Sequence, residues 1–314
     1  MITAGRFELP PSLVPDMRKA RKWEWLTVAY LTSTIVLMYL TMGSSQAMKT
    51  AWLEDALSVM PAILFLISSR IYHKAPTHQF PYGFHRVFSI TYLAGSLALL
   101  GMGLFLILDA TRTLIAAEHP GIGSISLPGI GTAWMGWIMM LALLYSAIPA
   151  VLIGRKKLPL AQKLHNKLLF TDAEAQKADY LTAGAAILGI SLVGFGWWWA
   201  DAVAAMAISL SVIRDGFSNV RTSINDLMDR VPVDVSHQHE DKLLVAILQE
   251  VLSWPWVADA RIRFREHGQV YFGEVKVIPS TEEHLIANIE DGMLRLKRLH
   301  WKVRDVVITV AEHL

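Results

Sequence analysis

Six apolar runs, near residues 23–43, 47–70, 87–115, 132–154, 173–195 and 197–217, each come close to the roughly 20 residues that a helix needs to cross a bilayer core. The chain is 53% hydrophobic and only 18% charged, which is too apolar for an ordinary soluble domain and reads as an integral membrane protein. It holds no cysteine among 314 residues. Disulfides and thiolate metal ligands are therefore excluded, and any transition-metal site has to draw on His, carboxylate, amide or water. The net charge of +2 says little; its distribution says more, and no nucleic-acid partner is expected.

Lys and Arg set the orientation. Residues 1–22 mix Pro10, Pro11 and Pro15 with Arg18, Lys19, Arg21 and Lys22, lack an apolar run that would serve as a cleavable signal, and read as a cytosolic tail. The second connection (Arg70, Lys74, Arg86) and the fourth (Arg155, Lys156, Lys157, Lys163, Lys167) are basic, whereas the first, third and fifth hold one lysine between them. Both termini are then cytoplasmic. The stretch EHPGIGSISLPGIG, residues 118–131, reads as a Gly/Pro-rich external loop, and Trp197, Trp198 and Trp199 suit the outer aromatic belt.

The expected division is a tail (1–22), a six-helix transmembrane domain (23–220) and a cytosolic C-terminal domain (221–314). In that last part Asp234 or Ser236 is positioned to cap a helix that runs to about Leu252 and stops at Trp254 and Pro255. VADARIRFRE and QVYFGEVKV alternate as strands around a His267–Gly268 turn. Ser280 or Thr281 with Glu283 opens a helix to about His300, and VRDVVITVA closes the order αββαβ, a ferredoxin-like or metallochaperone-like sheet with helices on one face.

The chemistry concentrates where carboxylates interrupt apolar runs. In DAEAQKADYLTAGAAILGISLVG, residues 172–194, Asp172, Gln176 and Asp179 share one helical stripe. Asp179 lies roughly 10 Å deeper than Asp172 at ~1.5 Å rise per residue. Placing an aspartate at a membrane-helix centre costs about 2.5–3.5 kcal/mol on insertion scales, so such a residue usually marks an ion or proton path. The second run, AWLEDALSVMPAILFLIS, places Asp55 roughly 12 Å below the outer surface. The two helices are antiparallel, which brings Asp55 and Asp179 to similar depth. Like charges there need a cation or proton between them; a hydrogen-bonded pair with serines or amides, or two protonated acids, is the structural alternative. Glu54 sits about 100° around the helix from Asp55. Pro61 either kinks the helix for packing or frees the Leu57 carbonyl as an oxygen donor.

With LEDALS in the second run, YGFHRVFS entering the third, DAEAQKAD in the fifth, WWWADAVAAMAISL in the sixth and LMDRVP beyond it, the chain resembles the cation diffusion facilitator family over nearly its whole length. The resemblance implies six membrane helices, a cytosolic αββαβ domain, a homodimer in a bacterial inner membrane, and exchange of a divalent metal for protons without a resident cofactor. The family's transport site pairs Asp-x-x-x-Asp on helix two with His-x-x-x-Asp or Asp-x-x-x-Asp on helix five. Asp55 and Asp179 match, while Val59 and Ala175 occupy the other two positions. Glu54 and Ser58 on helix two, with Asp172 and Gln176 on helix five, are the oxygen donors nearby. An oxygen-only set favours Mn²⁺, Mg²⁺ or Fe²⁺ over Zn²⁺ or Cu²⁺, with Co²⁺ and Zn²⁺ also in the expected range.

His73, His78 and His85 fall where the family often carries a second metal site; a surface loop with three imidazoles also binds metal adventitiously. The family's cytosolic ligands map to Lys276, Thr309 and Ala311, so that site is expected to be lost; His237, His239 and His313 are the candidates for a different one, but His237 and His239, at i and i+2, do not share a helix face and read as solvated surface residues. Arg86 and Asp229 match the interlock that ties membrane and soluble parts in the dimer. The competing reading is a non-transporting homologue acting as scaffold or partner subunit. An enzyme is not expected, because no serine or cysteine nucleophile arrangement accompanies the carboxylates.

Overall fold

The computed structural model describes residues 8–119, 121–127 and 131–313. Six long helices come first: α1 (Val14–Thr41), α2 (Gln46–Ile71), α3 (Val87–Ile115), α4 (Met135–Lys163), α5 (Lys167–Gly194) and α6 (Ala200–Leu227). Their outward faces are apolar, with Leu40 71%, Ile115 81% and Leu188 64% exposed, the inverse of a water-soluble bundle. Among the described residues α2, α3 and α4 are long and apolar enough to be taken as spans on length and composition alone. The other three carry charges: α1 buries Glu24, α5 buries Asp172 and Gln176, and α6 buries Asp201.

Several boundaries differ from the sequence expectation. α4 continues through the basic cluster to Lys163 and α5 opens at Lys167, so the fourth connection shrinks to residues 164–166, where the Asn166 side chain accepts from the Leu169 amide at 2.9 Å. The third connection is more than a loop, for β1 (Ser124–Leu127) pairs antiparallel with β2 (Gly131–Trp134). Residues 120 and 128–130 of that connection, and residues 1–7 of the tail, lie outside the described residues. At the outer end Asp201 accepts from the Ser45 hydroxyl at 2.7 Å and the Ala47 amide at 3.3 Å, so α6 helps to cap α2.

α3 and α6 meet through glycines. A Cβ on Gly216 would lie 2.8 Å from the Leu100 Cα, and one on Gly103 would lie 3.0 Å from the Ile213 backbone nitrogen. Small residues let membrane helices approach this closely. Gly216→Leu is expected to force the pair apart and destabilise the bundle by about 1–3 kcal/mol; an unchanged melting temperature in detergent would show that the contact is not maintained.

The C-terminal part runs α7 (Lys242–Leu252), β3 (Val257–His267), β4 (Val270–Pro279), α8 (Leu285–Leu299) and β5 (Val303–Val310), in the order αββαβ. β3 and β4 are antiparallel around Gly268 and Gln269, and β5 joins β4 in parallel. Two helix starts need correction. Asp241, not Asp234 or Ser236, caps α7, accepting from the Leu243 amide at 2.8 Å. Asp234 instead accepts from Ser236 at 2.8 Å and the Gln238 amide at 3.1 Å, a local turn that competes with a helix start. α8 starts at Leu285 after a left-handed His284 with φ of 53°, and Ser280 bonds back to the Pro255 carbonyl at 3.0 Å.

Ile247, Val251, Trp254, Val275, Leu296 and Ile308 form the core beneath α7 and α8. Val270 and Phe272 of β4 belong to a second core with Phe65, Tyr72, Phe88, Tyr92 and Leu164 at the inner ends of the long helices. The hairpin is therefore wedged against the bundle. Gly268 makes this approach feasible: its φ is 68°, and a Cβ there would lie 2.4 Å from the His85 carbonyl oxygen.

Candidate cation site between α2 and α5

Asp55 of α2 is buried, and one carboxylate oxygen accepts from the Ser146 hydroxyl of α4 at 2.6 Å. Ser146 is itself held in place, because its backbone carbonyl accepts from the Tyr30 hydroxyl of α1. Glu54 Oε1 accepts from Thr182 of α5 at 3.3 Å, while Glu54 Oε2 is buried with no donor. Asp179 Oδ2 and Gln176 Oε1 are likewise buried without a donor. Asp179 lies within electrostatic reach of Asp55, Glu54 and Asp172. A buried acceptor left unpaired costs about 1–3 kcal/mol. Glu54 and Asp179 are electrostatic neighbours and Gln176 lies one turn before Asp179 on α5, so acceptors without donors gather between α2 and α5.

Ser58 turns inward on its own helix and donates to the Glu54 carbonyl at 3.0 Å. Ser58 and Ala175 line a cavity of about 70 Å³ beside Pro61, bounded also by Tyr92, Thr171 and Asn219. Tyr92 donates to Asn219 Oδ1 at 3.1 Å and accepts from Thr171 at 3.2 Å. Ala175, a small residue, leaves this space open on the α5 side. Among the described residues no three His, Asp or Glu side chains stand close enough together, as they are, to hold a metal ion.

Asp172 has a different environment from the rest of its stripe. Lys157 of α4 donates to it and, at 2.9 Å, to Glu24 of α1; all three side chains are at most 3% exposed. Gln176 Nε2 reaches both Asp172 oxygens at 3.3 Å. From the sequence Lys157 belongs to a basic cytosolic connection. It is instead enclosed, because α4 extends through that segment and Lys157 falls on the inward face while Arg155 and Lys156 stay exposed. Nothing in the hydropathy pattern marks Glu24, Lys157, Ser146 or Thr182 as facing these carboxylates. Gly154 was the available cue for Lys157: it lies one turn earlier on the same face, and a Cβ there would fall 2.6 Å from the Ala173 carbonyl oxygen of α5.

The histidines separate. His78 is exposed, His73 packs on Tyr72 with ring centroids 3.9 Å apart, and His85 is buried near Phe272. Burial, with Arg304 and His73 nearby, holds His85 down to about 4. His237 is not at the solvated surface. It takes φ of 61° and stacks on Tyr92 at 6.1 Å, and burial, aided by Lys167, lowers its pKa to about 4. His239 and His313 are exposed, as are Lys276 and Thr309, which are register partners on β4 and β5.

At the inner ends of the helices Arg86 pairs with Asp229, donates to the Leu227 carbonyl at 3.2 Å, and lies 2.8 Å from His267 Nε2. Arg265 joins Asp229 at 3.3 Å. Beside them Lys167 bonds Asp226 at 3.0 Å and Glu266 at 2.9 Å. Burial acts to raise the Glu266 carboxyl, but Lys167 and His165 against it hold it below the usual range. These ion pairs join α3, α5 and α6 to β3.

A family model described as the cation efflux transmembrane domain matches residues 25–228. The cation-efflux pump FieF of Salmonella arizonae is 23% identical over 258 residues, covering 80% of this chain and 79% of the relative. The pumps of the same name from Klebsiella pneumoniae and Citrobacter koseri are 22% and 23% identical over the same span and with the same coverage.

Proposed function

The chain belongs to the cation efflux family, a family of membrane transporters rather than enzymes, and on that premise we propose that it exports a divalent cation in exchange for protons through the carboxylates between α2 and α5. The observation that carries this reading is the set of three enclosed oxygens without donors, Glu54 Oε2, Asp179 Oδ2 and Gln176 Oε1. A cation is the partner they lack. Asp55, Asp179, Glu54 and Gln176 are the proposed ligands, with Ser58 and Asp172 close by, and the ion draws the two helices' donors together when it binds.

The cation reaches them from the cytosolic side through the cavity at Ala175 and Tyr92. Its arrival displaces protons from closely spaced acids, and its departure lets protons rebind, which couples the two fluxes. Oxygen donors alone favour a hard ion, Mn²⁺ or Fe²⁺ before Co²⁺ and Zn²⁺. The working form is a homodimer in a bacterial inner membrane with both termini cytoplasmic. Arg86 and Asp229 lock its membrane and cytosolic parts together, while His73, His78 and His85 contribute no metal site.

Val59 and Ala175 favour one other reading, a partner subunit that does not transport. Proteoliposomes loaded with a metal-sensitive dye separate the two. Under an imposed pH gradient the expected result is Mn²⁺ or Fe²⁺ uptake that exceeds Zn²⁺ and Cd²⁺ uptake and collapses when the gradient is dissipated. Absence of flux for every divalent ion would select the partner-subunit reading.

A further inference from the structure

Lys157 is a cation enclosed within the helix bundle. Its ammonium is fully enclosed between Glu24 of α1 and Asp172 of α5, and it also lies within electrostatic reach of Asp179. Gly154 lets α4 and α5 touch one turn away, which sets the short reach from Lys157 to Asp172. With Asp172 ionised against Lys157, the Gln176 amide has an acceptor for its NH₂ end, and the opposite end, Oε1, is left without a donor. One ammonium thus accounts for both the engagement of Asp172 and the orientation of Gln176.

We propose that Lys157 is a specificity-determining, positioning residue: it withholds Asp172 from the transported cation, limits the carboxylates that the cation meets to those of α2 and Asp179, and through Asp172 turns the Gln176 oxygen toward them. The proposal rests on the α2–α5 site reading. A resident cation at this point keeps the substrate from being held by one more anion, so that it binds weakly enough to leave. Substrate release, rather than capture, is what Lys157 protects.

The test is cation flux with full-length protein in proteoliposomes, read as KM and maximal rate for Mn²⁺. In Lys157→Met the freed Asp172 becomes a ligand: KM falls about 10-fold, the scale on which groups behind a metal ligand act, and the maximal rate falls with it. Lys157→Met combined with Asp172→Asn removes the freed carboxylate and returns KM to the wild-type value, and Lys157→Arg keeps wild-type kinetics. Mere structural damage does not tighten binding. Should Lys157→Met fail to fold, Lys157→Met with Glu24→Gln leaves only Asp172 unpaired and is expected to show the same fall. An unchanged or raised KM in the folded variant overturns the proposal. Asp179→Asn, assayed alongside, separates the failures: loss of flux there with unchanged Lys157→Met kinetics overturns this proposal alone, and retained flux overturns the site reading together with it.

Discussion

Asparagine in place of Asp179 is expected to abolish cation flux while leaving the protein as stable as before, or more so. Asp179 Oδ2 is buried without a donor, so the substitution removes a charge that no hydrogen-bond donor satisfies. Replacing such a group by a neutral one of the same shape is nearly neutral or stabilising for the fold. The transported cation, by contrast, loses a charged ligand in a low-dielectric interior. At about 3–5 kcal/mol for a broken buried pair and a factor of 10 per ~1.4 kcal/mol, the rate at limiting substrate drops roughly 100-fold or more. Asp55→Asn is expected to act in the same direction, since asparagine still offers Ser146 an acceptor. The measurement is the initial rate in dye-loaded proteoliposomes beside a melting curve in detergent. Flux that survives both substitutions would remove Asp55 and Asp179 from the site, and a melting temperature that falls with the flux would mark them as structural.

The helices and the strand order were legible because apolar length and alternation report directly on a bilayer and on a half-buried sheet. Asp55 and Asp179 were legible because a carboxylate inside an apolar run is costly. Lys157 was not. On composition it is one of several lysines and arginines at the inner membrane surface, and only the register of α4, set by its contact with α5 at Gly154, turns it inward toward Asp172. Ser146 and Thr182 were missed for a related reason: which residues face each other across helices is fixed by packing, and a serine in an apolar run looks the same whether it meets lipid or Asp55. Asp234 and Ser236 have cap chemistry, but Ser236 and Gln238 bond Asp234 in a local turn, and Asp241 starts α7 instead.

The junction between bundle and sheet is expected to loosen on mild acidification, through His267 and His237. Burial, with Arg86 and Arg265 beside it, holds His267 down to about 3, and burial, with Lys167 nearby, holds His237 down to about 4. In the unfolded chain both titrate near 6.5. Above that value both are neutral in either state and their contribution to stability is complete. As pH falls from 6.5 toward 4 the unfolded chain takes up protons that the native state refuses, so the folded form loses about 1.4 kcal/mol per pH unit for each histidine. Across two units the pair removes on the order of 5 kcal/mol. At His267 the physical cause is visible: Nε2 lies 2.8 Å from an Arg86 nitrogen and serves as its acceptor, which a proton would turn into a second donor facing a guanidinium. Glu266 and Asp241, both held below the usual carboxylate range against the pull of burial by Lys167 and Lys302 respectively, lose stability in the same direction, but only once the pH drops below about 4.5. The expected melting temperature of the purified protein is therefore flat above pH 7 and falls steeply between about 6.5 and 4.5, before the carboxylates contribute. Glutamine at position 267 still accepts from Arg86 yet does not titrate, so His267→Gln and His237→Gln are each expected to remove about 1.4 kcal/mol per pH unit from that slope, leaving the part that His85 and His300, also held down by burial, contribute. A profile that is level down to pH 4.5 in the wild type, or a slope untouched by the double substitution, would place the acid sensitivity elsewhere than at this junction.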